Sequence, residues 1–292
     1  MLDGINAQFA IDNQLQFVEH SSGLIQGNVS TALCRGQFYL HGAHVTQFQP
    51  TGAAPLLFLS ERSEMREDKP IRGGVPICFP WFGPHPSDTT AAAHGLVRTR
   101  SWQLQATSIE ANGVVRVEMG LELGLAAEHW RLTYTIVWGA ALELNLAIEN
   151  LADESRECEV ALHTYLSLAD VHAASVSGLE QQSHLDKLTG VTRPASGQAI
   201  RFTQETDRIY HGSVPEMLVD DPGQHRQIRL LPRNSQSTVV WNPWISKSQR
   251  MSDFGDDEYL RMCCVETANV GLDRMRIPAH TSASIGCTYS IV

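Results

Sequence analysis

The sequence has no run of apolar residues long enough to cross a membrane as a helix, which takes about 20 in succession. Its first stretch, Met1 to Gln14, carries Asp3 and Asp12 where a secretory signal would carry positive charge ahead of an apolar segment. No membrane partner is therefore expected. Positive charge is scarce: 22 Lys and Arg against 32 Asp and Glu leave a formal charge of −10. Gripping nucleic acid needs a concentrated basic surface, so no nucleic-acid partner is expected either. Also missing are the Gly-x-Gly-x-x-Gly dinucleotide loop, the Walker A loop, the Gly-x-Ser-x-Gly elbow and the His-Glu-x-x-His zinc helix. Dehydrogenase, P-loop kinase and common hydrolase chemistry lose their main support with them.

Six cysteines, Cys34, Cys78, Cys158, Cys263, Cys264 and Cys287, are scattered along a chain of 292 residues, unlike the framework of a small disulfide-rich domain. Free thiols and a cytoplasmic location are the expectation. Asn28-Val29-Ser30 matches the glycosylation tripeptide, which says nothing without entry to the secretory pathway. With 42% hydrophobic residues the composition is that of an ordinary globular protein. No linker or internal repeat divides it, so residues 1–292 are expected to form a single domain.

What the sequence does have is a period of two. Leu142, Leu144, Leu146 and Ile148 alternate with Glu143, Asn145, Ala147 and Glu149, the pattern of a strand with one buried face. Val115, Val117 and Met119 repeat it, as do Leu132, Tyr134 and Ile136, and Asn112-Gly113 offers a tight turn between strand-like runs. Later come Gln227 to Leu231 and Ser237 to Trp241, with turn chemistry upstream at Asp221-Pro222-Gly223. Many short strands and few helical stretches predict an all-β fold, a large antiparallel sandwich or barrel. Between Arg72 and Thr90 the prolines Pro76, Pro80, Pro84 and Pro86 forbid regular helix and disfavour a central strand. That segment is expected as a loop or an edge, where binding groups tend to sit.

His41 and His44 form a His-x-x-His, but strand periodicity puts them on opposite faces, so ordinary packing rather than a metal site is expected. The acidic run of Asp253, Asp256, Asp257 and Glu258 reads by default as a solvated loop. Trp81, Trp241 and Trp244 fit either an aromatic wall for a ligand or core packing.

More specific are several strings in order: Gly42-Ala43-His44-Val45, Leu57-Phe58-Leu59-Ser60, then Ile71-Arg72-Gly73-Gly74-Val75-Pro76-Ile77-Cys78-Phe79-Pro80-Trp81-Phe82-Gly83 and Ala93-His94-Gly95-Leu96-Val97-Arg98. Ala161-Leu162-His163-Thr164-Tyr165 and Glu205-Thr206-Asp207-Arg208-Ile209-Tyr210 follow. Last come Trp241-Asn242-Pro243-Trp244, Met251-Ser252-Asp253 and Cys264-Val265-Glu266. Together, over roughly Leu40 to Asn269, they resemble the glucose-6-phosphate 1-epimerase branch of the aldose 1-epimerase (galactose mutarotase-like) superfamily.

That resemblance implies a galactose mutarotase-like supersandwich and interconversion of the α and β anomers of a hexose 6-phosphate. His163 then matches the catalytic histidine and Glu266 the catalytic glutamate. To change anomer, a hexopyranose loses the proton of its C1 hydroxyl while the ring oxygen gains one; the ring opens, C1–C2 rotates and the ring closes. One base and one acid on opposite sides suffice, each worth about 10²–10⁴ in rate, with neither metal nor organic cofactor. Period two adds that His163 shares a face with Glu159 and Ala161, opposite Val160 and Leu162.

By the same resemblance Arg72 and Arg98 bind the substrate phosphate, through charge-assisted hydrogen bonds of about 1.5–3 kcal/mol each. His94 is implied as a hydrogen-bonding partner of a ring or hydroxyl oxygen, and Asp207 as a holder of sugar hydroxyls. Where relatives often have glutamine before that histidine, this chain has Ala93. The partner implied is a small-molecule sugar phosphate, and the chain is expected to be a monomer. Two alternatives stay open: mutarotation of an unphosphorylated aldose, and a non-catalytic carbohydrate-binding protein that keeps the groove.

Overall fold

The three most strictly alternating segments form the centre of one sheet. In the computed structural model, which describes residues 2–125 and 128–292, Val115–Leu125, Glu128–Trp138 and Leu142–Asn150 pair as successive antiparallel strands. Leu142, Leu144, Leu146 and Ile148 are all fully buried while Glu143 faces solvent. The predicted turn at Asn112-Gly113 is present: Asn112 Oδ1 accepts the Val114 N–H at 3.0 Å and Gly113 takes φ +85°. Ser282–Ile291 and Arg226–Arg233 extend this sheet to nine strands, and its far edge is reached through Met217–Asp221. Asp221-Pro222-Gly223 makes the expected reversal, through a short 3-10 turn.

A second, eight-stranded sheet carries the order Val191–Arg193, His184–Asp186, Thr206–His211, Ser237–Asn242, Met262–Asn269, Val160–Leu162, Ile77–Cys78, with Tyr165–Ser167 also pairing to Met262–Asn269. Four N-terminal strands, Leu15–Glu19, Ile25–Ser30, Cys34–Tyr39 and His44–Pro50, make a third sheet. One apolar core, running in sequence from Leu15 to Tyr289, joins all three. Every named strand ladder among the described residues is antiparallel, and the helices there are short, Leu2–Phe9 and Trp244–Ser248. No helix among the described residues is long and apolar enough to cross a membrane. The expected all-β sandwich is the architecture found.

In the middle of the eight-stranded sheet the alternation disappears. Every residue of Ser237–Asn242 and of Met262–Asn269 is buried, because one face meets the core and the other is roofed by loops. Chief among these is the proline-rich stretch after Arg72, which contributes only the edge strand Ile77–Cys78, as expected of a loop or an edge. Its backbone is locked to the sheet: the His163 N–H donates to Pro76 O, and the Tyr165 N–H donates to Gly74 O, both at 2.9 Å. The approach requires glycine at Gly74, φ +59°, where a Cβ would collide with the Val45 carbonyl. Glu159 fastens the far end, accepting the Phe82 and Gly271 N–H groups at 2.9 and 2.7 Å.

Two local expectations are corrected. His41 and His44 do not lie on one strand; the positive-φ pair Gly42-Ala43 turns the chain between them. Each is buried with Nε2 at a backbone carbonyl, Lys69 O at 2.8 Å and Gly73 O at 2.7 Å. Nor is the acidic run wholly solvated. Glu258 is buried and accepts hydrogen bonds from Ser60 Oγ, the Glu61 N–H and the Gly255 N–H at 2.6, 2.8 and 2.7 Å, while Asp256 pairs with Arg62 in the open.

Candidate active site

Strand register gathers the polar side chains of the eight-stranded sheet into two rows. Asp207, Trp241, Cys264 and Tyr165 stand opposite one another on four neighbouring strands, and one step along the sheet Glu266 stands opposite Val239. His163 follows directly on Val160–Leu162, whose Ala161 packs with Val239 and Ile209 while Val160 and Leu162 enter the main core. The face assigned to His163 from periodicity is the one it occupies.

Between this face and the loop roof lies a cavity of about 260 Å³ lined by Arg72, Phe82, His94, His163, Tyr165, Lys187, Asp207, Val239, Trp241, Lys247, Met251 and Glu266. Five of the six residues singled out in the sequence meet here. Arg98 is not among the lining; its guanidinium donates to Ala93 O at 2.6 Å, though its charge reaches the His163 ring. Of the three tryptophans only Trp241 lines the cavity. Trp81 donates to Ala92 O and packs on His85, and Trp244 packs on His172 and Tyr259. A larger cavity of about 650 Å³, between Trp81, Glu128, Glu157 and Arg274, holds neither His163 nor Glu266. Here convergent polar chemistry, not size, marks the site.

His163 and Glu266 sit side by side, Nδ1 3.4 Å from Oε1 but without the alignment of a hydrogen bond, and Glu266 Oε2 has no hydrogen-bond partner. The imidazole is stacked on Tyr165, with ring centroids 4.8 Å apart and planes 11° from parallel. Burial disfavours charge on either member of the pair. It pushes the Glu266 carboxyl well above the usual carboxylate range, against the pull of Lys187, and pushes the His163 imidazole well below its usual value, reinforced by His94, Arg98 and Arg72. His94 is likewise pushed down, to about 3, by burial first and then by the positive field of Arg98, Lys187, Arg72 and Lys247. Its Nδ1 accepts the Gly83 N–H at 3.3 Å, which leaves the ring proton on Nε2.

Of the cavity's three cations, Arg72 was expected and the two lysines were not. Arg72 is held by Asp253 Oδ2, at 3.1 Å from Nε and 3.0 Å from Nη2, and donates to the Tyr165 hydroxyl at 3.0 Å. Lys187 Nζ lies 3.3 Å from Asp207 Oδ1, and Lys247 Nζ lies 3.2 Å from Glu205 Oε1 and 4.0 Å from Asp207 Oδ2. Each ammonium also sits over a ring, Lys187 over Phe82 and Lys247 over Trp241. Neither lysine belongs to a motif. The available signal is scarcity: the chain has three lysines, Lys69, Lys187 and Lys247, and two of them line this cavity.

The sequence profile of the aldose 1-epimerase family matches residues 29–290. A protein of Cenchrus ciliaris, provisionally named glucose-6-phosphate 1-epimerase, is 32% identical over 251 residues, covering 81% of this chain and 75% of its own. Among solved structures, one from Salmonella typhimurium provisionally named a mutarotase superposes with a TM-score of 0.89 at 25% identity, covering 100% of this chain and 99% of its own. A galactose 1-epimerase from Lactobacillus acidophilus gives a TM-score of 0.72 at 11% identity, over 96% of this chain and 98% of its own, a likeness of fold.

Proposed function

The chain belongs to the aldose 1-epimerase family, and from that footing we propose that it is an isomerase interconverting the α and β anomers of a hexose 6-phosphate, with glucose 6-phosphate as first candidate. The observation that carries this reading is one cavity lined by both a His–Glu pair and three cationic side chains, Arg72, Lys187 and Lys247. In this scheme His163 and Glu266 are the catalytic acid–base pair, and their neighbouring placement corrects the expectation of groups on opposite sides. The two oxygens that exchange protons, the C1 hydroxyl and the ring oxygen, are both bonded to C1, so adjacent groups reach both. Burial favours one proton on the pair, carried by Glu266 in the empty site. Ring opening then passes the carboxyl proton to the ring oxygen while His163 takes the hydroxyl proton; closure after rotation about C1–C2 reverses both transfers.

Recognition falls to the rest of the lining. Asp207 and the Nε2–H of His94 are placed to hold hydroxyls, and Trp241 offers an apolar face to the ring. Arg72, Lys187 and Lys247, each ion-paired with a carboxylate (Asp253, Asp207 and Glu205 in turn), have further N–H donors to offer an anionic substituent through charge-assisted hydrogen bonds. Arg98 acts at longer range, through its charge. The test is exchange NMR between the two anomers of glucose 6-phosphate and of glucose, with and without protein. Acceleration over the spontaneous rate, stronger for the phosphate, is expected. No acceleration at neutral pH refutes the reading, and equal efficiency on both sugars moves it to an unphosphorylated aldose.

A further inference from the structure

Beside the acid–base pair stands a side chain for which the reaction has no use. Cys264 lies two residues before Glu266 on the same face of the Met262–Asn269 strand and is fully buried. Candidate ligand atoms of His163, Cys264 and Glu266 all lie within 4.8 Å of one another, the one such trio of His, Cys, Asp or Glu among the described residues. Two of the three residues also carry buried polar atoms with no hydrogen-bond partner, His163 Nδ1 and Glu266 Oε2. Bare buried groups of this kind cost about 1–3 kcal/mol each, so they are placed to meet something that enters the pocket. Sugar oxygens can meet them, and so can a metal ion.

We propose that His163, Cys264 and Glu266 form an inhibitory zinc site, in which the ion takes one nitrogen, one sulfur and one oxygen ligand and withdraws the acid–base pair from catalysis. Imidazole, thiolate and carboxylate are the ligand types zinc accepts, and three protein ligands leave a fourth tetrahedral position open to water. Tetrahedral zinc with bonds of about 2.0–2.3 Å sets its ligand atoms about 3.3–3.8 Å apart. His163 Nδ1 and Glu266 Oε1, at 3.4 Å, already have that spacing. From the 4.8 Å limit, the widest pair closes by about 1 Å. Thiolate and carboxylate together balance the two charges of the ion, so occupation adds no net charge to the buried pocket. Magnesium and calcium prefer several oxygen ligands and fit this trio poorly.

Cobalt(II) reports such a site without turnover. Titration of the metal-free protein with Co²⁺ is expected to give a thiolate-to-cobalt charge-transfer band and the intense visible bands of tetrahedral cobalt, saturating at one ion per chain and abolished by Zn²⁺. Cys264→Ala should lose the charge-transfer band, keep its metal-free rate of anomer exchange, and become at least about tenfold less sensitive to Zn²⁺, the lower end for loss of support at a metal site. Cys78→Ala, which removes the thiol 3.5 Å from His94 Nδ1, should keep the band. The site is refuted by a parent protein that shows no band at one ion per chain, by a band that survives Cys264→Ala, or by Mg²⁺ displacing Co²⁺ as well as Zn²⁺ does. Should the alanine variant fail to fold, the parent spectrum alone decides. Because that spectrum is read without sugar, a failure of the isomerase reading leaves this test intact.

Discussion

Glu266 occupies the middle of a strand whose every residue is buried, which is costly for an ionisable group and informative for the same reason. Burial raises its carboxyl pKa and so favours the protonated form, and in the proposed reaction the isosteric Glu266→Gln removes the proton that is transferred. Anomer exchange is expected to fall by about 10²–10⁴. Stability moves the other way: a carboxyl whose folded pKa is raised has lost stabilisation by pH 7, because the unfolded chain ionises freely, so the melting temperature of the glutamine variant should rise. A variant that keeps wild-type exchange, or melts lower, contradicts the assignment. The same directions shape the rate profile. Protonation of His163 belongs below its ordinary 6.5, so kcat/KM on the unphosphorylated sugar, which does not itself titrate in this range, should not fall as pH drops through 6.5, and a fall centred there would refute the lowered imidazole. His163 and Glu266 were legible in the sequence because each sits in a motif; Lys187 and Lys247 were not, since their neighbours resemble any surface turn or short helix.

At the scale of elements, the site is roofed by segments that the sequence marks only as irregular. The acidic segment matters most: Glu258 ties Ser60, Glu61 and Gly255 together, and the Asp253 carbonyl accepts the Ser60 hydroxyl while its carboxylate grips Arg72. Loss of the Glu258 carboxylate leaves the Glu61 and Gly255 N–H groups without it, while the Ser60 hydroxyl keeps the Asp253 carbonyl. At about 1–3 kcal/mol for each donor left unpaired, Glu258→Ala should destabilise the fold by roughly 2 kcal/mol or more. It should also loosen Arg72, so that KM for the sugar phosphate rises at least about tenfold while that for the free sugar changes less. Denaturant titration and paired kinetics check both, and a surface-like effect within about 0.5 kcal/mol would overturn this role. Charge patterning could not separate buried Glu258 from exposed Asp256, because the distinction lies in what each side chain reaches across the fold. The strictly alternating strands were readable for the opposite reason: one face on the core and one on solvent writes period two directly into the sequence.

Across the whole molecule, the core that runs from Leu15 to Tyr289 links the three sheets. Consistent with one domain over residues 1–292, thermal unfolding is expected as a single calorimetric transition, and two resolved transitions would argue for separate units. Acid should weaken it. The fully buried His44 has its pKa pushed down to about 3, chiefly by burial. The unfolded chain therefore takes up that proton first, and stability present above pH 6.5 is lost as pH falls toward 3, by up to roughly 4–5 kcal/mol. Glu266 changes in the opposite sense, so the comparison that isolates His44 is parent against His44→Gln, measured by denaturant titration between pH 7 and pH 4. The slope with pH should be shallower in the variant; an equal slope would rule His44 out as the source.

The all-β class and the buried faces of the strands at the nine-stranded sheet's centre could be read from the chain alone, and its motifs singled out His163 and Glu266. Each of these is a local signal, a period or a motif carried by residues close together in the chain. It took the folded arrangement to show that His163 and Glu266 are neighbours, that Arg98 stands back from the cavity, and that Lys187, Lys247 and Cys264 stand close to the pair. Those facts depend on which strands lie side by side and which loops cover them, and no stretch of chain short enough to read on its own contains that information.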